Sequence, residues 1–179
     1  HHKILVAKGC FKVGLYKQGL LHDMSKYSPT EFWVGAKYYQ GTRSPNNAER
    51  EDIGYSSAWL HHKGRNKHHY EYWIDYSMQA LPGGMAPVPM PDKYIAEMIM
   101  DRIAASKVYM GGEYTDRSPL DYYYQGTDRA PIHPETKAKL LYVLEMLAEE
   151  GEEKTFRFIK AELVQHKRCM DWHQLEKAE

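Results

Sequence analysis

The sequence of 179 residues has no net charge, and its two cysteines do not form a metal-binding motif. Its 24 Lys and Arg residues are balanced by 24 Asp and Glu residues, so no overall positive field attracts nucleic acid. We therefore expect no general binding of DNA or RNA. The two cysteines, Cys10 and Cys169, are far apart and have no metal-type spacing. Free thiols of this kind are typical of a cytosolic protein.

Long apolar runs are also missing. No stretch approaches the length of a membrane span, and no signal peptide is visible. The expectations are a cytoplasmic location and no membrane association. Apolar residues make up 42% of the chain, which is enough for one domain with a substantial core.

Helical spacing of apolar residues runs through most of the chain, and no β-hairpin signature interrupts it. This pattern predicts one all-α domain over residues 1–179, a helical bundle with a core at about 2–125 and C-terminal helices at 134–175. The Pro/Gly-rich stretch 82–92 is predicted to be an irregular connector. The predicted helices are one that carries Val6, Cys10 and Val13 and ends near Gly14 or Gly19, a short one through His22 to Tyr27, one that begins at Ser28, one at about 49–63, one at about 66–81, one at 92–110, a short one near 118–126, and two after 134 that are separated at Gly151.

The helix that begins at Ser28 carries a capping box. Ser28 is the predicted N-cap, Pro29 occupies the first helical position, and Glu31 is placed to complete the box. Glu31 is also a candidate to orient a ligand or to act as a base, although its place in the cap is sufficient to explain it.

Four acidic or imidazole side chains are candidates for a metal site. The adjacent pair His22 and Asp23 follows two leucines, and burying both is costly unless a cation binds them. His2 lies on the preceding helix. Asp101 lies in an apolar helix, where it needs a cationic partner; the alternatives are a salt bridge to Arg102 or Lys93, or a place at the exposed helix edge.

This order of residues resembles the HD-domain superfamily of metal-dependent phosphohydrolases, an all-helical group marked by His, then His-Asp, then a distant Asp. Here these residues are His2, His22-Asp23 and Asp101, and "HDMSK" is similar to the frequent form of the motif, with Ser25 in place of Gly. Over residues 2 to 125 the chain resembles, more narrowly, an uncharacterised bacterial family of unknown function within that group. The segments that carry this resemblance are "GLLHDMSKYSPTEF", "AWLHHKGRNKHHYEYW" and "MPDKYIAEMIMDRIAASKVYMG".

Two histidine pairs flank the turn in "HHKGRNKHH", at positions 61, 62, 68 and 69. The resemblance implies that such extra histidines bind a second metal ion. Because adjacent helical residues point about 100° apart, we expect one histidine of each pair to face the metal. We favour His62 and His69; the alternative is that both pairs face solvent.

Three further residues are candidates for catalysis beside Asp23. Arg65 is predicted to clamp a phosphate, and Lys26 to neutralise a phosphate oxygen. The alternative for Arg65 is a bond to carbonyls at the helix end. Glu97 precedes Asp101 by one turn and is predicted to orient a ligand histidine or a metal-bound water.

The resulting functional hypothesis is hydrolysis of a phosphate ester, a phosphomonoester or a nucleotide. One or two divalent ions per chain would lower the pKa of bound water and supply hydroxide. The alternatives are a di-iron oxygenase and a non-catalytic, metal-stabilised binding module. The expected partner is a small phosphorylated substrate, and a homodimer is left open.

The substitution Asp23→Ala tests the metal hypothesis. Loss of a carboxylate ligand should sharply lower the bound metal and abolish any hydrolysis. Elemental analysis of the purified variant measures the first effect. Full metal occupancy in this variant would show that Asp23 is not a ligand.

Overall fold

The computed structural model describes residues 1–41, 43–78, 82–167 and 172. In these residues the protein is predominantly α-helical, with a small two-stranded sheet, which confirms the predicted all-α domain. The helices of the described chain are α1 (His2–Val13), α2 (Tyr16–Leu21), α3 (Pro29–Lys37), α4 (Pro45–Ile53), α5 (Ser57–Lys63), α6 (Asp92–Met110), α7 (Ser118–Tyr124) and α8 (Pro134–Ile159).

Short turns and strands connect these helices. The strands are β1 (Ile74–Tyr76) and β2 (Met85–Pro87). The 3-10 turns are Met24–Tyr27, Tyr70–Trp73, Pro82–Gly84, Gly111–Glu113 and Thr127–Arg129, and a π-helical turn, Lys160–Val164, follows α8.

Helix α6 is the centre of the core. It packs against α1, α7 and α8, and its bounds are those predicted from the sequence. Gly9 lets α1 approach closely, because a Cβ atom there would lie 2.7 Å from Met100 Sδ. This packing sets the start of α1 opposite the middle of α6, so that His2 lies beside Asp101.

The His22-Asp23 pair lies between two helices, so the predicted continuous helix through it is wrong. Helix α2 ends at Leu21, His22 is its C-cap, and a 3-10 turn starts at Met24. Asp23 has a φ of 55°, a left-handed conformation in which Asp is enriched among residues other than Gly. The chain therefore turns at Asp23, and both side chains point into the protein.

The predicted helix at 49–63 is in fact two helices. Helix α4 starts earlier, with Pro45 at its first position, and ends at Gly54, which has a φ of 85°. Helix α5 begins after Ser56, whose side chain accepts a hydrogen bond from Trp59 N. The left-handed glycine and the cap at Ser56 separate the two helices.

Glu49 of α4 stabilises the start of α5. Its carboxylate accepts hydrogen bonds of 2.6 Å from Ser56 Oγ and from Ser57 Oγ, and it is 2% exposed. Burial raises the pKa of Glu49, but these bonds and those from the backbone of Ser57 and Ala58 outweigh it and lower the pKa below 4.5. A buried negative charge thus lies at the positive end of the helix that carries His61 and His62.

The predicted helix at 66–81 and the predicted irregular connector at 82–92 are both wrong. A 3-10 turn follows His69, and β1 then pairs antiparallel with β2, with Ile74 opposite Pro87 and Tyr76 opposite Met85. The strands are only three residues long, too short for alternation to stand out in the sequence. Proline is tolerated in β2 because this strand lies at a sheet edge.

The C-terminal break at Gly151 is confirmed, because this residue has φ 78° and ψ 171° inside α8. Part of the C-terminal region predicted to be helical up to 175, including Cys169, lies outside the described residues. Of the two cysteines, Cys10 is buried in the core.

Glu49→Gln tests the role of this buried carboxylate. We expect a loss of about 1 kcal/mol at pH 7, the scale of a helix-capping interaction. Because the folded-state pKa is depressed, the stabilisation is present above the unfolded value near 4.5 and is lost as the pH falls through the folded value. Urea unfolding at pH 7 and pH 4 should therefore show a smaller acid effect in the variant. Glu149→Gln, at an exposed position on α8, is the control.

Candidate metal centre

The Asp23 carboxylate lies between two groups of histidines. Asp23 is 4% exposed, and its two oxygens face different rings. Oδ2 is 3.4 Å from His22 Nε2, whereas Oδ1 is 3.2 Å from His62 Nε2 and 3.4 Å from His68 Nε2. One carboxylate therefore contacts both sides of the cluster.

The first group consists of His2, His22 and Asp101. Asp101 Oδ1 is 2.9 Å from His2 Nε2 and 3.5 Å from His22 Nε2. These residues come from the start of α1, the end of α2 and the middle of α6, and their ligand atoms lie within 4.8 Å of one another. The structure thus brings together the four candidates that the His, His-Asp, Asp pattern indicated, because Asp23 adjoins this group.

The second group consists of Asp23, His62, His68 and His69, whose ligand atoms also lie within 4.8 Å of one another. The ring of Trp59 covers it, stacked on His62 at 5.6 Å and edge-on to His69 at 4.7 Å between ring centroids. His62 and His69, the favoured members of their pairs, are both present. His68 is present as well, although we expected only one residue of that pair.

Asn66 folds the histidine segment back on itself. Its backbone N and its Nδ2 donate to the carbonyl of His62 at 3.1 and 2.8 Å, and its Nδ2 donates to Ser25 Oγ at 2.7 Å. These bonds close the turn after α5 and tie it to the turn after Asp23. His68 and His69 are thereby brought back towards His62.

Two glutamates contact the Nδ1 atoms of the histidines. Glu97 Oε1 is 3.0 Å from His22 Nδ1 and 3.2 Å from His68 Nδ1. Glu31 Oε1 is 2.6 Å from His61 Nδ1, and its Oε2 is 2.8 Å from His62 Nδ1. A histidine that donates from Nδ1 to a carboxylate presents Nε2 for a metal, as in many metal proteins.

The position of Glu31 differs from the predicted capping box. The backbone N of Glu31 does donate to Ser28 Oγ, at 3.4 Å, so half of the box forms. The carboxylate, however, faces His61 and His62 instead of returning to the backbone of Ser28. Two imidazoles attract the negative charge more strongly than one neutral amide does.

Several buried atoms of the cluster have no hydrogen-bond partner in the described structure. They are the Nε2 atoms of His22, His68 and His69 and Oδ1 of Asp23. Leaving a buried polar atom unsatisfied costs about 1–3 kcal/mol, so four at one place are unusual. Imidazole nitrogen and carboxylate oxygen are ligands of divalent transition metals, and cations bound by the two groups would satisfy all four atoms. The residues therefore fit a metal ion.

The charges in the cluster are strongly perturbed. Burial lowers the pKa of His22, but the adjacent carboxylates of Asp101, Asp23 and Glu97 outweigh it and raise the pKa to about 11. Burial lowers the pKa of His69 well below its usual value, and the charge of His68 adds to this effect. Burial raises the pKa of Asp23, yet the adjacent imidazoles of His22 and His62 bring it well below its usual value. The metal-free centre thus holds a proton on His22 and none on His69.

The two cations predicted to bind phosphate lie in different settings. Lys26 Nζ is 2.5 Å from Asp23 Oδ2, and its side chain is 54% exposed. Arg65 is exposed, and its Nη1 donates to the carbonyl of His61 at 3.4 Å. This contact matches the alternative considered for Arg65, a bond at the helix end. Lys26 therefore adjoins the cluster, whereas Arg65 lies at the edge of the turn.

Fold and site together define the class: a predominantly α-helical, single-domain protein with a buried group of His, Asp and Glu side chains that can hold a metal ion. The chain belongs to DUF5662, a family of unknown function, whose model matches residues 1–146. Searches of curated proteins and of solved structures find no match. No helix in the described ranges has the length and apolar character needed to cross a membrane.

Metal binding should release a proton from His22. A protonated imidazole has no lone pair for a metal, and the raised pKa keeps His22 protonated at neutral pH. Apparent affinity should rise with pH below about 11, by about tenfold per unit for each proton displaced. Isothermal titration with Mn²⁺ in two buffers of different ionisation enthalpy measures the protons released. Equal heats in both buffers would contradict this assignment.

Proposed function

We propose that the protein is a metal-dependent hydrolase of phosphate esters whose two groups of side chains, with Asp23 between them, would hold two divalent ions. The observation that carries the proposal is the set of unsatisfied buried atoms around this carboxylate: three histidine Nε2 atoms and Oδ1 of Asp23 itself. The order of His2, His22-Asp23 and Asp101 along the chain, which resembles that of HD-domain phosphohydrolases, adds support.

The two groups would hold one ion each. His2, His22, Asp101 and Oδ2 of Asp23 would bind the first ion. Oδ1 of Asp23, His62, His68 and His69 would bind the second. When bound, divalent ions lower the pKa of water and polarise a phosphoryl oxygen.

The chain's own residues would orient and neutralise the substrate. Glu97 and Glu31 fix the orientation of the ligand histidines through contacts with their Nδ1 atoms. Lys26 is the cation nearest to Asp23, and its partly exposed side chain can turn its ammonium group towards a phosphate oxygen. The side chain of Trp59 excludes water from one side of the second group, which strengthens the electrostatic interactions there.

A second candidate function is oxygen activation by two irons. His2, His22 and Asp101 supply two imidazoles and one carboxylate, which is the ligand set of many non-haem iron oxygenases. Iron content of anaerobically purified protein, together with oxygen uptake, distinguishes this function from hydrolysis. Bound metal with neither activity would support a non-catalytic, metal-stabilised module instead.

The test of the hydrolase begins with the metal-to-chain ratio at saturation, which we expect to be about two. The same sample is then screened with phosphomonoesters and nucleotides in the presence of Mn²⁺, Co²⁺ or Mg²⁺. No turnover with any of these substrates, at full metal occupancy, would exclude the proposed activity.

Lys26→Met and Arg65→Ala form a matched pair for this reaction. Loss of the Lys26 charge should lower kcat/KM by roughly 10²-fold, the scale of removing one group that stabilises a developing charge. Arg65→Ala should lower Tm slightly and leave kcat/KM unchanged, because Arg65 contacts only a helix-end carbonyl. Equal losses in both variants would show that Arg65 also binds the substrate.

A further inference from the structure

Glu97 contacts histidines of both groups through a single oxygen. Its Oε1 lies 3.0 Å from His22 Nδ1, in the first group, and 3.2 Å from His68 Nδ1, in the second. The two rings lie beside each other, with centroids 4.4 Å apart. Glu97 itself is 5% exposed, on α6 one turn before Asp101. The three residues are close enough to resemble a ligand set of their own. The contacts of Glu97, however, are with the Nδ1 atoms, whereas the Nε2 atoms of the same rings face Asp23. Glu97 therefore supports the two histidines and leaves their Nε2 atoms for metal.

Glu31, by contrast, serves only one side of the centre. Its oxygens are divided between His61 and His62, and neither of these residues belongs to the group of His2 and Asp101. The two outer glutamates are therefore not equivalent. One spans both groups, and the other supports the second group alone.

We infer that Glu97 is a positioning residue that couples the two metal sites, so that their ions are bound and lost together. This inference rests on the dinuclear centre of the proposed function. One oxygen contacts both Nδ1 atoms, and the Nε2 atoms of the same two rings face Asp23, so Glu97 holds both rings in the orientation needed to bind metal. A carboxylate that holds a metal-ligating histidine through its other ring nitrogen typically increases metal affinity 10- to 100-fold.

Coupling follows from shared ordering of the ligands. An ion held by His22 and Asp101 fixes two side chains that Glu97 contacts or adjoins on α6. His68 is then held in its binding orientation before the second ion arrives, so binding of that ion loses less conformational entropy. By reciprocity, the second ion strengthens the binding of the first.

The experiment isolates each site and then changes each glutamate. His2→Gln removes a ligand of the first site, and His69→Gln removes one of the second, so each variant retains one intact site. Glu97→Gln and Glu31→Gln are placed in both backgrounds, and Co²⁺ is competed against a chelator while its absorption spectrum is recorded. Glu97→Gln should raise the Kd about tenfold or more in both backgrounds. Glu31→Gln should raise it only in the His2→Gln background.

Two outcomes would overturn the inference. One is a Glu97→Gln effect confined to a single background. The other is an equal Glu31→Gln effect in both backgrounds, which would indicate general loosening of the centre. Glutamine has nearly the volume of glutamate, and circular dichroism checks that the variants fold. If Glu97→Gln fails to fold, Glu97→Asp replaces it, because it keeps the charge but withdraws the oxygen from both rings.

The outcome for the proposed hydrolase is separate. Coupled loading of two Co²⁺ ions without any phosphatase activity would refute the reaction and leave the role of Glu97 intact. Phosphatase activity together with a Glu97→Gln effect at only one site would refute the coupling role of Glu97 and leave the proposed reaction intact. A wild-type protein that binds a single ion at saturation would remove the basis of the coupling itself.

Discussion

The structure depends on one buried negative charge, the carboxylate of Asp23. A carboxylate removed from water is stable only when positive or hydrogen-bonding groups surround it, and Asp23 has His22, His62, His68 and Lys26 around it. His22 and Lys26 adjoin Asp23 in sequence, whereas His62 and His68 come from α5 and the turn after it, so this later segment must fold back onto the turn after α2. The left-handed turn at Asp23, the close packing of α1 on α6 and the turn closed by Asn66 all serve that arrangement.

Much of the helical fold could be predicted because it follows from local rules. Helix α6, the cap at Ser28 and the break at Gly151 are each encoded within a few neighbouring residues. The small hairpin could not be predicted, since the pairing of β1 with β2 is a tertiary interaction between strands of three residues. The break between α4 and α5 does have local signals, because Gly54 is a typical helix end and Ser56 a typical helix start, but the prediction did not use them.

The candidate site was predictable where residue types are rare and their environment is unusual. An aspartate inside an apolar helix and a His-Asp pair after leucines indicated the cluster that contains His2, His22, Asp23 and Asp101. The roles of neighbours depend on where side chains point, which the sequence does not encode locally. Glu31 fits both a cap and a ligand-orienting role in the sequence, and only the fold turns its carboxylate towards His61 and His62. The sequence favours His69 over His68, and both reach the cluster because Asn66 closes the turn between them and His62. The sequence carries one signal for this turn: Asn66 follows Gly64 closely, and Asn side chains in turns often hydrogen-bond to the backbone.

The two metal-binding groups differ in how far apart their residues lie along the chain, and this affects the unfolded protein. His62, His68 and His69 lie within eight consecutive residues, so an unfolded chain still carries a local, chelating segment. His2 and Asp101 are far apart in sequence and meet only after folding. A ligand that binds the unfolded state stabilises the native state less. The ion of the first group would therefore act as a selective stabiliser of the folded chain, whereas a newly synthesised, unfolded chain could already capture an ion through its second group.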